Sequence, residues 1–531
     1  MDVTKSVHFV GTNTRVIHRL AFIGESRRMD KMATYEVPTQ QSSRQKALPS
    51  EEYVVKTMPP ILGTLDMTTT FLIIIFFITN ATTAVAGGAA AFTYWALGAV
   101  TFFIPCVIAT AQLGVLFPHD GSLYNWTHKA FGGYWSFFVA FCAWFPGVLV
   151  IISAADLFVA YIQGLNSNWL VEPWQQGIVL IVLIALSGIL AVQRYRTVQN
   201  ILNMVIGLTF IGVFIIGLAG IVWLAEGHAS ATSFSHFSDW NINWNPTTGN
   251  LSLFGLITLA YLGVEAPLNM GGEIVGRKVV TRHLLWGTLL VLIGYFIATF
   301  SVLVVQGSTN GAVPFALVST VDMVFGKIAG SITAICLMSC FVMAAVTYNY
   351  AYARLLLVGS IDKRLPVSAG RLNKHRVPAN GVFFQTIVAT VAAALVFFVF
   401  PYVVKLGSRP ADLSTEVYDV LLAAATLVWA VSTLFLFVNI IRFYFRDRQW
   451  FLKRAIFPLP VLGISIALGS VSCLVAIFGT LFYSWIPALI SSDRWLLIIG
   501  GLTLVCLIIA AIGSMYATSE AAWEDLSTQQ H

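Results

Sequence analysis

The sequence predicts an all-α polytopic membrane protein: twelve transmembrane helices, a 5+5 inverted repeat with broken helices 1 and 6, and two further helices. Three observations predict it. Only 10% of the 531 residues are charged while 57% are hydrophobic, against about 25% charged in soluble domains, and mean hydropathy is +0.81. Apolar runs long enough to cross hydrocarbon about 30 Å thick recur at 61–84, 90–116, 134–163, 173–193, 198–225, 251–272, 283–306, 328–358, 380–401, 415–443, 461–486 and 495–517. The basic residues then sort by side. With the N-terminus inside, nearly all of the 30 Lys and Arg are cytoplasmic; Lys327, Lys405, Arg409 and Arg494 fall outside, and Arg354 lies within a run. This bias places both termini in the cytoplasm and accounts for the net charge of +6 without any nucleic-acid partner.

In chain order, residues 1–56 read as a disordered, basic cytoplasmic tail without the apolar segment of a signal peptide, and Met32 is an alternative start to Met1. Residues 57–443 hold the ten helices of the repeat. The first run passes through FLIIIFFI and meets Thr79, Asn80, Ala81, Thr82 and Thr83, small or polar residues that offer backbone and hydroxyl groups in place of lipid-facing bulk. Threonines in membrane helices also bond back to their own carbonyls, so the signal takes its weight from its position. The sixth run contains the second interruption, AYLGVEAPLNMGGE from Ala260 to Glu273. There Gly263, Pro267, Gly271 and Gly272 break the helix and Glu265 brings a carboxyl to membrane depth.

Backbone groups freed from a helix in hydrocarbon are costly unless protein or a water-lined cavity satisfies them, and an ionisable residue at that depth marks a functional site. The interrupted runs are the first and sixth, matching members of two five-helix sets, which is where secondary transporters build their binding sites. The loop 226–250 carries no Lys or Arg and is expected outside, with Asn250-Leu251-Ser252 a glycosylation sequon at its end. Residues 444–517 supply helices 11 and 12, and 518–531 a cytoplasmic C-terminal tail. The six cysteines all lie in apolar runs with neither disulfide nor metal spacing, so no metal or cofactor is expected.

Four passages carry a family likeness. Phe117-Pro118-His119-Asp120-Gly121-Ser122-Leu123-Tyr124, with Trp126 and Phe131-Gly132, resembles the Pro-x-x-Gly-Gly-x-Tyr and Phe-Gly loop of the amino acid–polyamine–organocation (APC) superfamily of permeases. Residues 261–265, with Glu273 beyond, resemble its Gly-Phe-Glu break and following Glu-Glu pair. Arg354 and Asp362-Lys363-Arg364-Leu365-Pro366 resemble the passage ending its helix 8, and Asn373-Lys374 with Pro378-Ala379-Asn380 the lead into helix 9. The likeness spans roughly residues 57–445, and Tyr-Leu-Gly-Val-Glu-Ala with Phe103-Ile104-Pro105 leans toward the glutamate/γ-aminobutyrate antiporter branch. Three departures stand out. The family's Gly-Ser-Gly-Ile is replaced by residues 79–83, Ser122 stands where a glycine is usual, and helix 5 lacks the lysine of some proton-coupled members.

The resemblance implies a substrate carboxylate held by free N–H groups after the two breaks, aided by helix N-termini, and a substrate ammonium held by carbonyls ending the first half-helices. The binding candidates are Thr79, Asn80, Ala81, Thr82, Thr83, Tyr261, Leu262, Gly263, Val264 and, on helix 8, Asn349. Glu265 and Asp156 are the intramembrane carboxyls that stand as proton-coupling candidates. For Glu265 the competing reading is a structural cap on the freed amides. Trp144, Phe145 and Tyr348 are gate candidates, Arg354 an anchor for helix 8, and Glu273 a partner for Arg277 or Lys278.

The expected function is secondary active transport of amino acids across the plasma or cytoplasmic membrane by alternating access, as proton symport or amino acid exchange. A polyamine or organic-cation permease is the alternative, and a non-transporting nutrient sensor a more distant one. No catalytic motif is present, so no enzyme is expected. The implied partners are an amino acid, a proton or counter-substrate and the lipid bilayer; the sequence sets no oligomeric state.

Overall fold

The computed structural model describes residues 47–243, 252–399, 401, 410–486 and 490–529. The expected tail up to residue 46, the alternative start at Met32, and Asn250 and Leu251 of the sequon lie outside the described residues. The chain divides into two units, Met1–Ala47 and Leu48–His531, and the helices below all belong to the second.

The chain begins that unit with α1 (Pro49–Thr57), α2 (Thr64–Ile75), α3 (Asn80–Ala84), α4 (Ala90–Leu116), α5 (Ser122–Phe131) and α6 (Gly133–Leu165). It continues with α7 (Pro173–Ala191), α8 (Tyr195–Ala225), α9 (Ser252–Leu259), α10 (Arg277–Val305), α11 (Gly307–Asn310) and α12 (Ala316–Phe325). The last are α13 (Lys327–Ile361), α14 (Ala379–Val399), α15 (Pro410–Arg446), α16 (Arg448–Arg454), α17 (Leu459–Phe482) and α18 (Ser492–Gln529). Ten of these are long and apolar enough to cross a membrane, and the bent pair α2 plus 80–87 raises the number to eleven. The expected twelve is reached only by also counting the interrupted stretch from α9 to Glu273. Broad faces of these helices are apolar and exposed, as with Phe214 on α8 and Leu497 on α18, which is the surface a bilayer covers.

Local sequence explains the irregularities. In α4 a π turn at Ala99–Phe103 directly precedes Pro105; proline lacks an N–H and its ring clashes with the carbonyl four residues back, so the helix widens there. The first span bends by 46° between α2 and 80–87. Phe76, at the bend, wedges against α10, where a side chain on Gly294 would meet its ring at 2.4 Å. The carbonyls orphaned at the end of α2 are satisfied by tyrosine hydroxyls: Tyr348 Oη donates to Ile74 O at 2.7 Å and Tyr295 Oη to Ile75 O at 2.9 Å. The sixth span ends its helix at Leu259, turns through Gly263 at φ +98°, and resumes as a 3-10 helix at Ala266–Glu273 with Pro267 in its first turn.

At the end of the bundle that carries most of the basic residues, buried polar groups tie these pieces together. The main chain of 61–62 pairs with that of 273–275: Ile61 N and Leu62 N donate to Glu273 O, and Val275 N to Leu62 O. Arg354 of α13 and Glu273 form a buried ion pair at 2.7 Å. Asp120 Oδ1 accepts from Gly272 N at 2.7 Å. Helix α1 lies across this junction. Its Glu51 pairs with Lys129 at 2.8 Å and accepts from Asn125 Nδ2, and its Ser50 donates to Asp362 through both N and Oγ. Burial alone would push the Glu51 carboxyl up, but His119, Lys129 and Asn125 together hold it below its ordinary value.

Three expectations are corrected here. Residues 49–56 are not tail but helix, because Glu51 and Val54 are buried against the bundle. The last helix does not stop at 517 but continues to Gln529. Glu273 pairs with Arg354 instead of Arg277 or Lys278, both of which are exposed at the start of α10.

The same junction gives a pH-dependent prediction. Burial, reinforced by the neighbouring Glu273, pushes the Asp120 carboxyl up to about 8. As pH rises from about 4, where an unfolded aspartate loses its proton, toward 8, the native state retains a proton the unfolded chain has released. Native stability therefore falls across that window. Asp120→Asn lacks this titration, so its unfolding temperature is expected to gain on the parent's between pH 5 and pH 8. An offset that stays constant across that range rejects the assignment.

Candidate functional site

The two breaks meet in the middle of the bundle, where α2 packs against α10 and α13, and α9 packs against α4 and α17. Between them lies a cavity with about 60 Å³ of space for water-sized centres, room for a few waters or a small solute since one water needs roughly 10–15 Å³ on this measure. Ile75, Phe77, Asn80 and Thr83 of the first span line it, with Leu259, Ala260 and Leu262 of the sixth. Val150 and Ser153 of α6, Tyr348 of α13, Ala425, Thr426 and Trp429 of α15, and Trp485 also line it.

Main-chain bonding at the breaks is incomplete. Asn80 N, Ala81 N and Thr82 N fold back onto the carbonyls of Phe77, Ile78 and Thr79, and Tyr261 N and Leu262 N onto Thr258 and Leu259. The amides of Ile78, Thr79, Gly263 and Val264 find no partner among the described residues, although all four residues are buried. Buried N–H groups are almost always satisfied, so two unsatisfied amides at each break are a set of donors waiting for an acceptor. Their neighbours Phe77, Asn80 and Leu262 line the cavity.

Of the expected binding residues, the structure brings Asn80, Thr83 and Leu262 to the cavity wall, together with the gate candidate Tyr348. Thr79, Ala81, Thr82, Gly263 and Val264 sit in the breaks behind that wall, and Thr82 Oγ1 donates to Thr79 O at 2.7 Å. Tyr261 is turned away; it stacks on Phe103 at 4.5 Å and donates to Trp95 O, anchoring the break to α4. Asn349 is also corrected. It is not in the cavity or against the first span but bonds Ser187 of α7 and Gln385 and Thr386 of α14, tying three helices together. Trp144 donates to Gln385 and stacks on Phe384, and Phe145 stacks on Phe141; neither reaches the cavity. Asp156 is buried on α6 and does not line it. Of the carbonyls ending the first half-helices, expected to hold an ammonium, those of Ile74 and Ile75 already accept the two tyrosine hydroxyls.

Glu265 lies behind the cavity. Trp429 stands between, lining the cavity while its Nε1 donates to Glu265 Oε1 at 2.9 Å; Oε2 has no hydrogen-bond partner among the described residues. Trp429 is the residue the sequence did not single out, because one tryptophan in an apolar run carries no signal of its own. No group of three or more His, Cys, Asp or Glu among the described residues could hold a metal ion.

A family model described as amino acid permease matches residues 62–504. The chain belongs to the amino acid permease family. The permease is 26% identical over 438 residues to the branched-chain amino acid permease BcaP of Lactococcus lactis, covering 77% of this chain and 84% of that one. It is 24% identical over 349 residues to the uncharacterized transporter lpg1691 of Legionella pneumophila, covering 62% and 73%. Among solved structures, MhsT in complex with L-phenylalanine superposes with a TM-score of 0.55 at 12% identity, over 80% of the permease and 99% of MhsT. That likeness establishes the shared fold, an all-helical multi-pass membrane architecture.

Proposed function

We propose that this permease carries amino acids across the cytoplasmic membrane by alternating access, with both termini on the cytoplasmic side and the substrate held between the two broken spans. One observation carries the reading: four buried main-chain amides, two at each break, lack acceptors beside a cavity. A substrate carboxylate satisfies them, and helix starts at Asn80 and Ala266 add favourable dipoles. Ala260, a lining residue whose carbonyl accepts no bond among the described residues, takes the ammonium role expected of the carbonyls ending the first half-helices. The ion-paired junction beneath α1 is then the closed cytoplasmic side, which opens when the substrate leaves inward.

Counterflow tests this. Purified permease in proteoliposomes loaded with unlabelled amino acids is expected to accumulate external label transiently; a sensor that only binds accumulates none. Glu265 is the proton-coupling candidate, since it sits at the break and its second carboxylate oxygen is uncommitted. Glu265→Gln is expected to remove the pH dependence of uptake while leaving exchange partly intact. Uptake that keeps the parent's pH profile in this variant assigns Glu265 to the structural role alone.

A further inference from the structure

The cavity's wall is selective in its chemistry. It contains no Asp, Glu, Lys, Arg or His among the described residues. Most of its polar side chains are already engaged, Trp485 Nε1 being a buried donor with no partner among the described residues. Tyr348 Oη donates to Ile74 O, Ser153 Oγ to Leu149 O at 3.3 Å, Thr426 Oγ1 to Ala423 O at 2.9 Å, and Asn80 Nδ2 to Tyr295 Oη at 3.3 Å. The rest is hydrocarbon and aromatic surface, including Ile75, Phe77, Val150, Leu256 and Leu422. A charged substrate side chain placed there would be stripped of water with no counter-charge, which is strongly unfavourable. An apolar one gains by leaving water.

A carboxylate, Glu265, lies behind the wall, and Trp429 stands between it and the cavity. The indole fills the space that Gly263 leaves by having no side chain: a Cβ there would come within 2.9 Å of the ring. Tyr348 and Tyr352 hold the ring edge-on, at 6.3 Å and 6.0 Å between centroids. Its N–H bonds Glu265 while the residue lines the cavity.

We propose that the substrate is an α-amino acid with an uncharged, apolar side chain, and that Trp429 sets this preference by covering Glu265. The proposal rests on the transport reading above, and it separates this permease from carriers of glutamate, lysine or polyamines. Trp429 is a specificity-determining residue: it touches the substrate side chain and screens a carboxylate that would attract a cationic one.

The experiment is counterflow in proteoliposomes with labelled leucine, valine, phenylalanine, glutamate, lysine and putrescine. Accumulation of the apolar three, with the charged three at least ~10-fold weaker, supports the class. Transport of glutamate, lysine or putrescine as good as that of the apolar three overturns it while leaving the transport reading intact. If none of the six moves, the transport reading fails first. The role of Trp429 is read separately, by thermal shift with lysine, which needs no turnover. Trp429→Leu opens the path to Glu265, and Trp429→Phe keeps a ring but withdraws the N–H donor. Lysine is expected to stabilise at least one of these variants at concentrations ~10-fold below any effect on the parent. If neither variant responds to lysine, or if only the leucine variant folds and it does not respond, the assignment to Trp429 is overturned; the parent panel decides the substrate class in either case.

Discussion

Gly263→Ala is expected to abolish transport while leaving the protein folded. Gly263 sits at φ +98°, a conformation that costs an L-residue about 1–3 kcal/mol. The new methyl would also lie 2.9 Å and 3.0 Å from two carbons of the Trp429 ring and 3.2 Å from Ile74. The ring has little freedom to retreat, since Tyr348 and Tyr352 pack against it and Glu265 holds its N–H. Either the break straightens or Trp429 swings into the cavity, and both outcomes close the site. Counterflow normalised to incorporated protein should fall by more than ~10-fold, equivalent to about 1.4 kcal/mol. Gly207→Ala, on α8 where a methyl would meet nothing within 4 Å, is the control and should be neutral or slightly stabilising. A Gly263→Ala protein that transports at the parent rate would show that the break geometry does not form the site.

The second large effect is on stability. Arg354→Ala is expected to destabilise the permease by about 3–5 kcal/mol, because it leaves Glu273 charged and buried without its partner. The pair is 2.7 Å apart with both side chains almost wholly enclosed, and the guanidinium also lies 5.9 Å from the Tyr195 ring centroid. Replacing both partners with apolar residues of similar size, Arg354→Met with Glu273→Leu, should recover much of that loss, as such paired replacements often do. Unfolding temperature in detergent, compared between the parent, Arg354→Ala and the double variant, reads this directly. A double variant no better than Arg354→Ala would mean that packing around Arg354, and not its charge, holds the junction. The junction is also where alternating access requires movement, so the double variant is expected to fold yet cycle slowly.

The ease of reading different parts of this chain follows from the range of the forces involved. The long spans are legible because a bilayer demands about twenty consecutive apolar residues and tolerates few charges, a local rule written into consecutive positions. Observed limits such as Ala90–Leu116 and Tyr195–Ala225 stay within a few residues of the apolar runs, although the last helix runs on to Gln529. The two breaks are legible for the same reason: glycine, proline and small polar residues within an apolar run act on the backbone where they stand. Residues 79–83 mark the first broken span, but the bend itself owes as much to Phe76 wedged against α10.

The wall of the cavity is less legible. Asn349 reads as a binding residue because it is polar in an apolar context, yet its partners Ser187 and Gln385 lie 162 and 36 residues away. Trp429 reads as ordinary packing, yet it meets a carboxylate 164 residues away. Helix α1 carries a polar sequence that resembles tail, and groups from distant segments, Lys129 and Asp362 among them, make it part of the bundle.

By itself, then, the sequence determined that the chain crosses a membrane many times, where its first and sixth spans are interrupted, and that a carboxyl stands at the second interruption. These follow from the cost of exposing backbone and charge to hydrocarbon, which acts residue by residue. Tertiary structure decided which side chains face the cavity, that Tyr295 and Tyr348 occupy carbonyls at the first break, and that an indole covers Glu265. Those outcomes depend on which helices lie side by side, and that is set by packing among segments that have no pattern in common.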